Sequence, residues 1–149
     1  MQTVNKENLK SIIESSFRRS TREKPVQISS GPYPPIKEDP KEIHELFFNK
    51  NWFDLSSDFF LNDGAIQSGI GFMTNEAFLY YLPAMMLFIL GEDFNLNSAC
   101  MIDIVMERLN VLMEMDHHAA RNIFGEDEKN TIELFKQYIE ENAERFFLS

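Results

Sequence analysis

Between Phe72 and Gly91 the chain reads Phe-Met-Thr-Asn-Glu-Ala-Phe-Leu-Tyr-Tyr-Leu-Pro-Ala-Met-Met-Leu-Phe-Ile-Leu-Gly, with Glu76 its only charged side chain. Thr74 is a good N-cap, Glu76 sits favourably at the positive helix end, and Gly91 is a natural stop, so the spacing predicts a helix over about 74–90. Phe78, Tyr81, Leu82, Met85 and Ile89 form one stripe, yet Leu79, Pro83, Met86, Leu87 and Leu90 are apolar as well. A helix apolar on most sides belongs in the middle of a fold. Its uncharged run, Ala77 to Leu90, is shorter than the roughly 17–25 residues of a membrane span, and no membrane partner is expected.

The rest of the sequence places amphipathic helices around this one. Val4, Leu9, Ile12, Ile13 and Phe17 have helical spacing. Asp39-Pro40-Lys41-Glu42 has the form of a capping box with proline at the first helical position, ahead of Ile43, Leu46 and Phe47. Asn97-Ser98 is placed to cap a helix that buries Met101, Ile102, Val105, Leu109 and Leu112 and exposes Asp103, Glu107, Arg108 and Asn110. A short helix is expected from Asp116 to Gly125, and a last one from about Asp127 with Ile132, Phe135, Tyr138, Ile139 and Phe146 inward. Residues 20–38, with Gly31-Pro32-Tyr33-Pro34-Pro35, cannot sustain a helix and read as an extended strap rather than a ligand for a proline-recognising module. The expected fold is mostly α: one compact domain over 1–149, five or six helices around the central one, and a small β or irregular segment in 51–72, with Asp63-Gly64 a hairpin candidate. At this length a domain buries roughly 68–70% of the surface its unfolded chain exposes, room enough for the 14 phenylalanines.

The segment Thr74-Asn75-Glu76-Ala77-Phe78-Leu79-Tyr80-Tyr81-Leu82-Pro83-Ala84, with Trp52 upstream and Ile132 and Phe135 downstream, resembles an uncharacterised family of small bacterial proteins. That family shares a Thr-Pro-Glu-Ala-Phe-x-Tyr-Tyr-Leu-Pro-Ala helix signature. The resemblance spans roughly residues 39–146, and Asn75 departs from the usual proline. It implies a bacterial source and transfers no activity or catalytic residue.

The charge is unevenly spread. Net charge is -10, which disfavours nucleic acid and anionic membranes as partners. Residues 1–24 balance at +3 and residues 25–149 at -13. From Asn51 to Glu107 there is no Lys or Arg, while Asp54, Asp58, Asp63, Glu76, Glu92, Asp93, Asp103 and Glu107 are acidic. A surface of this kind steers a basic partner and speeds its association, as inhibitors of nucleases do. The expectation is therefore a soluble, acidic, cytoplasmic protein-binding protein, an inhibitor or immunity protein acting on a basic toxin or nuclease. Cytoplasmic placement follows from a lone cysteine and the absence of a signal-peptide pattern at the first residues. Contact is expected at Glu76, Glu92 and Asp93, the two ends of the central helix, along Asp103 and Glu107, and at Tyr80. Adjacent tyrosines point about 100° apart on a helix, so with Tyr81 in the stripe, Tyr80 is the partly exposed ring. Pro83 removes the hydrogen bond to the Leu79 carbonyl at roughly 3 kcal/mol, which predicts a kink around the core rather than a binding notch.

No catalytic, metal or cofactor constellation is complete. Gly69-Ile70-Gly71 lacks the rest of a phosphate loop. Glu114 with His117 or His118 has two-ligand spacing on one helix face, short of the three or four that zinc takes, and a surface pair at a helix start is the simpler reading. Cys100, without a Cys-x-x-Cys partner, reads as an inert thiol. Two alternatives remain at this level: an enzyme or metal-dependent protein built on Glu107, Glu114, His117 and His118, and a homodimer using Phe59, Phe60 and Phe147.

Overall fold

A computed structural model describes residues 5–19, 22–31, 38–61, 66, 69–91, 99–118 and 123–142. Among them the protein is all-α, with helices α1 (Lys6–Arg19), α2 (Glu38–Phe47), α3 (Ser57–Leu61), α4 (Asn75–Leu90), α5 (Ala99–His118) and α6 (Glu126–Glu141), and 3-10 turns at Trp52–Asp54 and Ile70–Phe72. The helices fall into two compact units, residues 1–21 with 94–149, and residues 22–93. No described helix is long and apolar enough to cross a membrane.

In the first unit α1 packs on α6. Leu9, Ile13, Ser16 and Phe17 bury one stripe of α1, and Thr131, Ile132, Phe135 and Ile139 one of α6. Two hydroxyls meet inside this seam: Ser16 Oγ and Thr131 Oγ1 lie 2.7 Å apart, so the polar atoms satisfy each other instead of being stranded. Outside it, Arg19 reaches Asp127 across 3.2 Å. On α5 the expected stripe Met101, Ile102, Val105, Leu109 and Leu112 is buried. Arg108 is not outward as expected but half-buried, and desolvation lowers its pKa.

The short helix expected from Asp116 does not start there, and residues 119–122 lie outside the described residues. Asp116 instead lies in the last turns of α5, and its carboxylate caps the segment that follows. Asp116 Oδ1 accepts the Ile123 N–H at 2.7 Å and the Phe124 N–H at 3.2 Å, while Oδ2 pairs with Lys129 Nζ at 2.9 Å. These bonds fix the entry to α6, where Glu128 Oε1 takes the Gly125 N–H at 2.9 Å.

In the second unit α4 has the expected bounds and is buried along most of its length. Thr74 Oγ1 accepts the Ala77 N–H at 3.0 Å, a standard N-cap. Every residue from Ala77 to Leu90 is buried except Leu87, and the helix runs on through Pro83. Gly91 ends it, though not in the left-handed conformation usual for a glycine stop; its φ is -74° and its N–H donates to the Phe88 carbonyl at 3.0 Å.

Residues 22–31 form part of the expected strap, tied to the start of α4. Thr74 N–H donates to the Ile28 carbonyl at 2.8 Å, Thr74 Oγ1 to the Gln27 carbonyl at 3.0 Å, and Ser30 N–H to the Phe72 carbonyl at 2.7 Å. Ser29 and Met73 make an isolated antiparallel bridge. The described part of 51–72 is therefore helical turns rather than a small sheet; Asp63-Gly64 and Pro32 to Pro35 lie outside the described residues. Gly69 makes a close approach, since a Cβ there would stand 2.7 Å from Ile43 Cδ1 and the end of that side chain would have to shift.

Candidate interaction surfaces

In the second unit the Trp52–Asp54 turn packs on α4. The anchor is Tyr81, fully buried, whose hydroxyl lies 2.5 Å from the Phe47 carbonyl and 2.8 Å from the Lys50 carbonyl. It pins the end of α2 and the residues leading into the turn to the centre of α4. Chain reversal after α2 uses Asn49 at a φ of 62°, a left-handed position that asparagine tolerates. Trp52 is buried, while Phe53 keeps 49% exposure and Asp54 faces solvent. Asp54 Oδ2 accepts from Asn51 Nδ2 at 3.1 Å.

Tyr80 lies beneath this turn. It is 5% exposed, with its ring edge-on to Tyr81 at 4.8 Å, so the partly exposed tyrosine expected from helical geometry is instead a buried one. The 100° between neighbouring side chains is real, but the turn covers the second direction. Burial raises the Tyr80 pKa, a backbone hydrogen bond at Trp52 offsets part of the effect, and the Asp54 charge adds to it. Burial, then the Tyr80 phenol, raises Tyr81 also. Glu76 is exposed one helical turn before Tyr80. The second unit thus exposes Phe53 and Asp54 on the turn over Tyr80 and Glu76 one helical turn before it, all on a stretch without a basic residue.

The first unit offers a different surface, an open groove of about 510 Å³ lined by Glu107, Asn110, Val111, Glu114, His117 and His118 of α5, with Met113 and, from α6, Lys136. Positions 107, 110, 111, 114, 117 and 118 follow helical spacing and form one stripe. Asp103 is exposed one turn before Glu107. Val111 stands between Glu107 and Glu114 with 52% of its surface exposed. His117 and His118 are at the end of a helix, not its start as expected, with ring centroids 5.0 Å apart. Among the described residues no three His, Cys, Asp or Glu side chains are grouped to hold a metal ion.

Of the expected contact residues, Glu76 and Tyr80 come together in the second unit and Asp103 and Glu107 in the first; Glu92 and Asp93 lie outside the described residues. Of the aromatics considered for a homodimer, Phe60 is buried against Phe88 at 5.0 Å and Phe59 is half-buried against Phe47 at 5.1 Å. Phe60 is a core side chain, and Phe147 lies outside the described residues. Val111 and Lys136 were not singled out from sequence, although Val111 is adjacent to the buried Leu112 and therefore out of phase with the inward stripe. Comparison with family models, with curated proteins and with solved structures gives no match to this chain.

Proposed function

We propose that this protein is an acidic protein-binding protein, acting in the bacterial cytoplasm as an inhibitor or immunity protein that neutralises a basic toxin or nuclease. The observation that carries the reading is that Phe53 and Asp54, on the turn packed against α4, and Glu76, one helical turn before the buried Tyr80, are all exposed in a stretch with no Lys or Arg. Interfaces are anchored by aromatic side chains at their centre and given on-rate and specificity by the charges around them. Trp52 and Tyr80, both buried, give that turn a rigid base, which limits the entropy lost on binding. The excess of -13 over residues 25–149 supplies long-range attraction for a cationic protein.

The test is purification from the native host at low and high salt. One stoichiometric basic protein should copurify at low salt and be largely lost at high salt. Reversing both charges, Asp54→Lys with Glu76→Lys, should weaken its binding by about 10–100-fold, on the order of 1.4–2.8 kcal/mol for the two together. Recovery of no specific protein, or a partner indifferent to the double reversal, would count against the reading and against this surface respectively.

A further inference from the structure

The groove on α5 is a second surface, and its chemistry differs from that around Tyr80. On its α5 side the exposed Val111 stands along the helix between two carboxylates, Glu107 and Glu114, which are seven residues apart. Seven residues of helix span roughly 10.5 Å. Lys136, on the opposite bank, confines any attraction for cations to the α5 side. A flat carboxylate pair on a solvated helix needs no partner, but an exposed valine framed by two of them on a concave face matches one kind of ligand well. A helix with cationic side chains two turns apart and large apolar side chains between them repeats both the spacing and the order of charges.

We infer that the α5 groove receives an amphipathic, cationic helix of a protein partner, with an apolar side chain seated over Val111 and basic side chains paired with Glu107 and Glu114. The inference rests on the reading of a basic partner and goes beyond it in naming a second surface, a recognition element and its spacing. Charge complementarity selects this occupant over a second copy of the chain, because the exposed acids Asp103, Glu107 and Glu114 of two copies would face one another at a net charge of -10 each. Asn110, exposed on the same stripe, is available to hydrogen-bond at the rim.

The probe is an alanine-based helical peptide of about 18 residues, long enough to hold a helix, with lysines seven apart and leucines three and four residues after the first. Its control has the same composition with the lysines on opposite faces. Added at low ionic strength to the isotopically labelled full chain, the matched peptide should shift amide resonances within 103–118 and around Lys136. The control should bind at least tenfold more weakly. Glu107→Lys with Glu114→Lys should weaken the matched peptide at least tenfold, and Val111→Ser, a surface change that leaves the fold intact, about threefold to tenfold. Equal binding of the two peptides, shifts centred elsewhere, or no binding of either overturns the inference. A basic partner recovered from the host that ignores the α5 reversals overturns this assignment alone and leaves the broader reading standing. Failure to recover any basic partner removes the broader reading beneath it.

Discussion

Tyr81 ties the centre of α4 to the end of α2 and the residues that follow it. One phenolic hydroxyl serves the carbonyls of Phe47 and Lys50, and the ring packs on Phe47 at 4.8 Å. Tyr81→Phe keeps the ring but takes the phenolic donor from both carbonyls, leaving the Phe47 carbonyl with the Lys50 N–H alone, at a cost of about 1–3 kcal/mol. At about 2–4 °C per kcal/mol for a chain of this size, the melting temperature should fall by several degrees, and calorimetry checks it. Asp116 is the counterpart in the first unit. Its folded pKa lies below the usual carboxylate value because of the Lys129 hydrogen bond first and then the Phe124 and Ile123 N–H groups. A depressed carboxylate contributes stability above its unfolded pKa of about 3.9 and loses it as pH falls through the folded value. Asp116→Asn should therefore lower the urea midpoint at neutral pH, with the gap to the parent closing as both are titrated into acid; a gap independent of pH would contradict the account. The Lys129 pKa is raised, by the same hydrogen bond first, so its share is present at neutral pH and fades as the solution becomes strongly alkaline. Asp116 also shows where reading from sequence stops at this scale. An aspartate followed by polar residues has the chemistry of a helix start, and it does cap backbone N–H groups. They belong to residues seven and eight positions later, a reach that linear spacing does not encode.

At the scale of elements, α4 was legible because its signals are local. Cap, apolar body and stop all act within one or two turns, and Thr74 does what its position predicts. It does more besides, since its hydroxyl also donates to Gln27 and its N–H to Ile28. Thr74→Ala should cost about 1 kcal/mol as a lost cap, and should also speed hydrogen exchange in residues 27–30, which Thr74→Ser should not. Exchange confined to the first turn of α4 would show that the strap is held without it. The segment from 51 to 72 was less legible, because 3-10 turns of three residues are too short to show a period. Their conformation is set by what they pack against, as with Trp52 beside Tyr80 and Gly69 against Ile43. Tyr80 was misplaced for the same reason: helical geometry gives the direction of a side chain but not whether a turn from elsewhere in the chain covers it.

At the scale of the whole molecule, charge and burial carry information of different kinds. The charge imbalance is fully visible in the sequence, and the proposal of a cationic partner starts from it. The surface that would use it is not, because Val111 and Phe53 become conspicuous only once their neighbours are buried and they are not. A chain at -10 repels itself, and salt relieves that repulsion by shortening the Debye length from about 30 Å at 0.01 M to about 8 Å at 0.15 M. The same screening weakens attraction to a basic partner. The two effects have opposite signs, so adding sodium chloride over this range should raise the melting temperature of the isolated protein while lowering its affinity for the cationic peptide. Parallel melting and binding titrations measure both. If melting temperature and affinity fell together, local ion pairs such as Asp116 with Lys129 and Arg19 with Asp127 would outweigh the general repulsion, and the acidic surface would be better balanced than its composition implies.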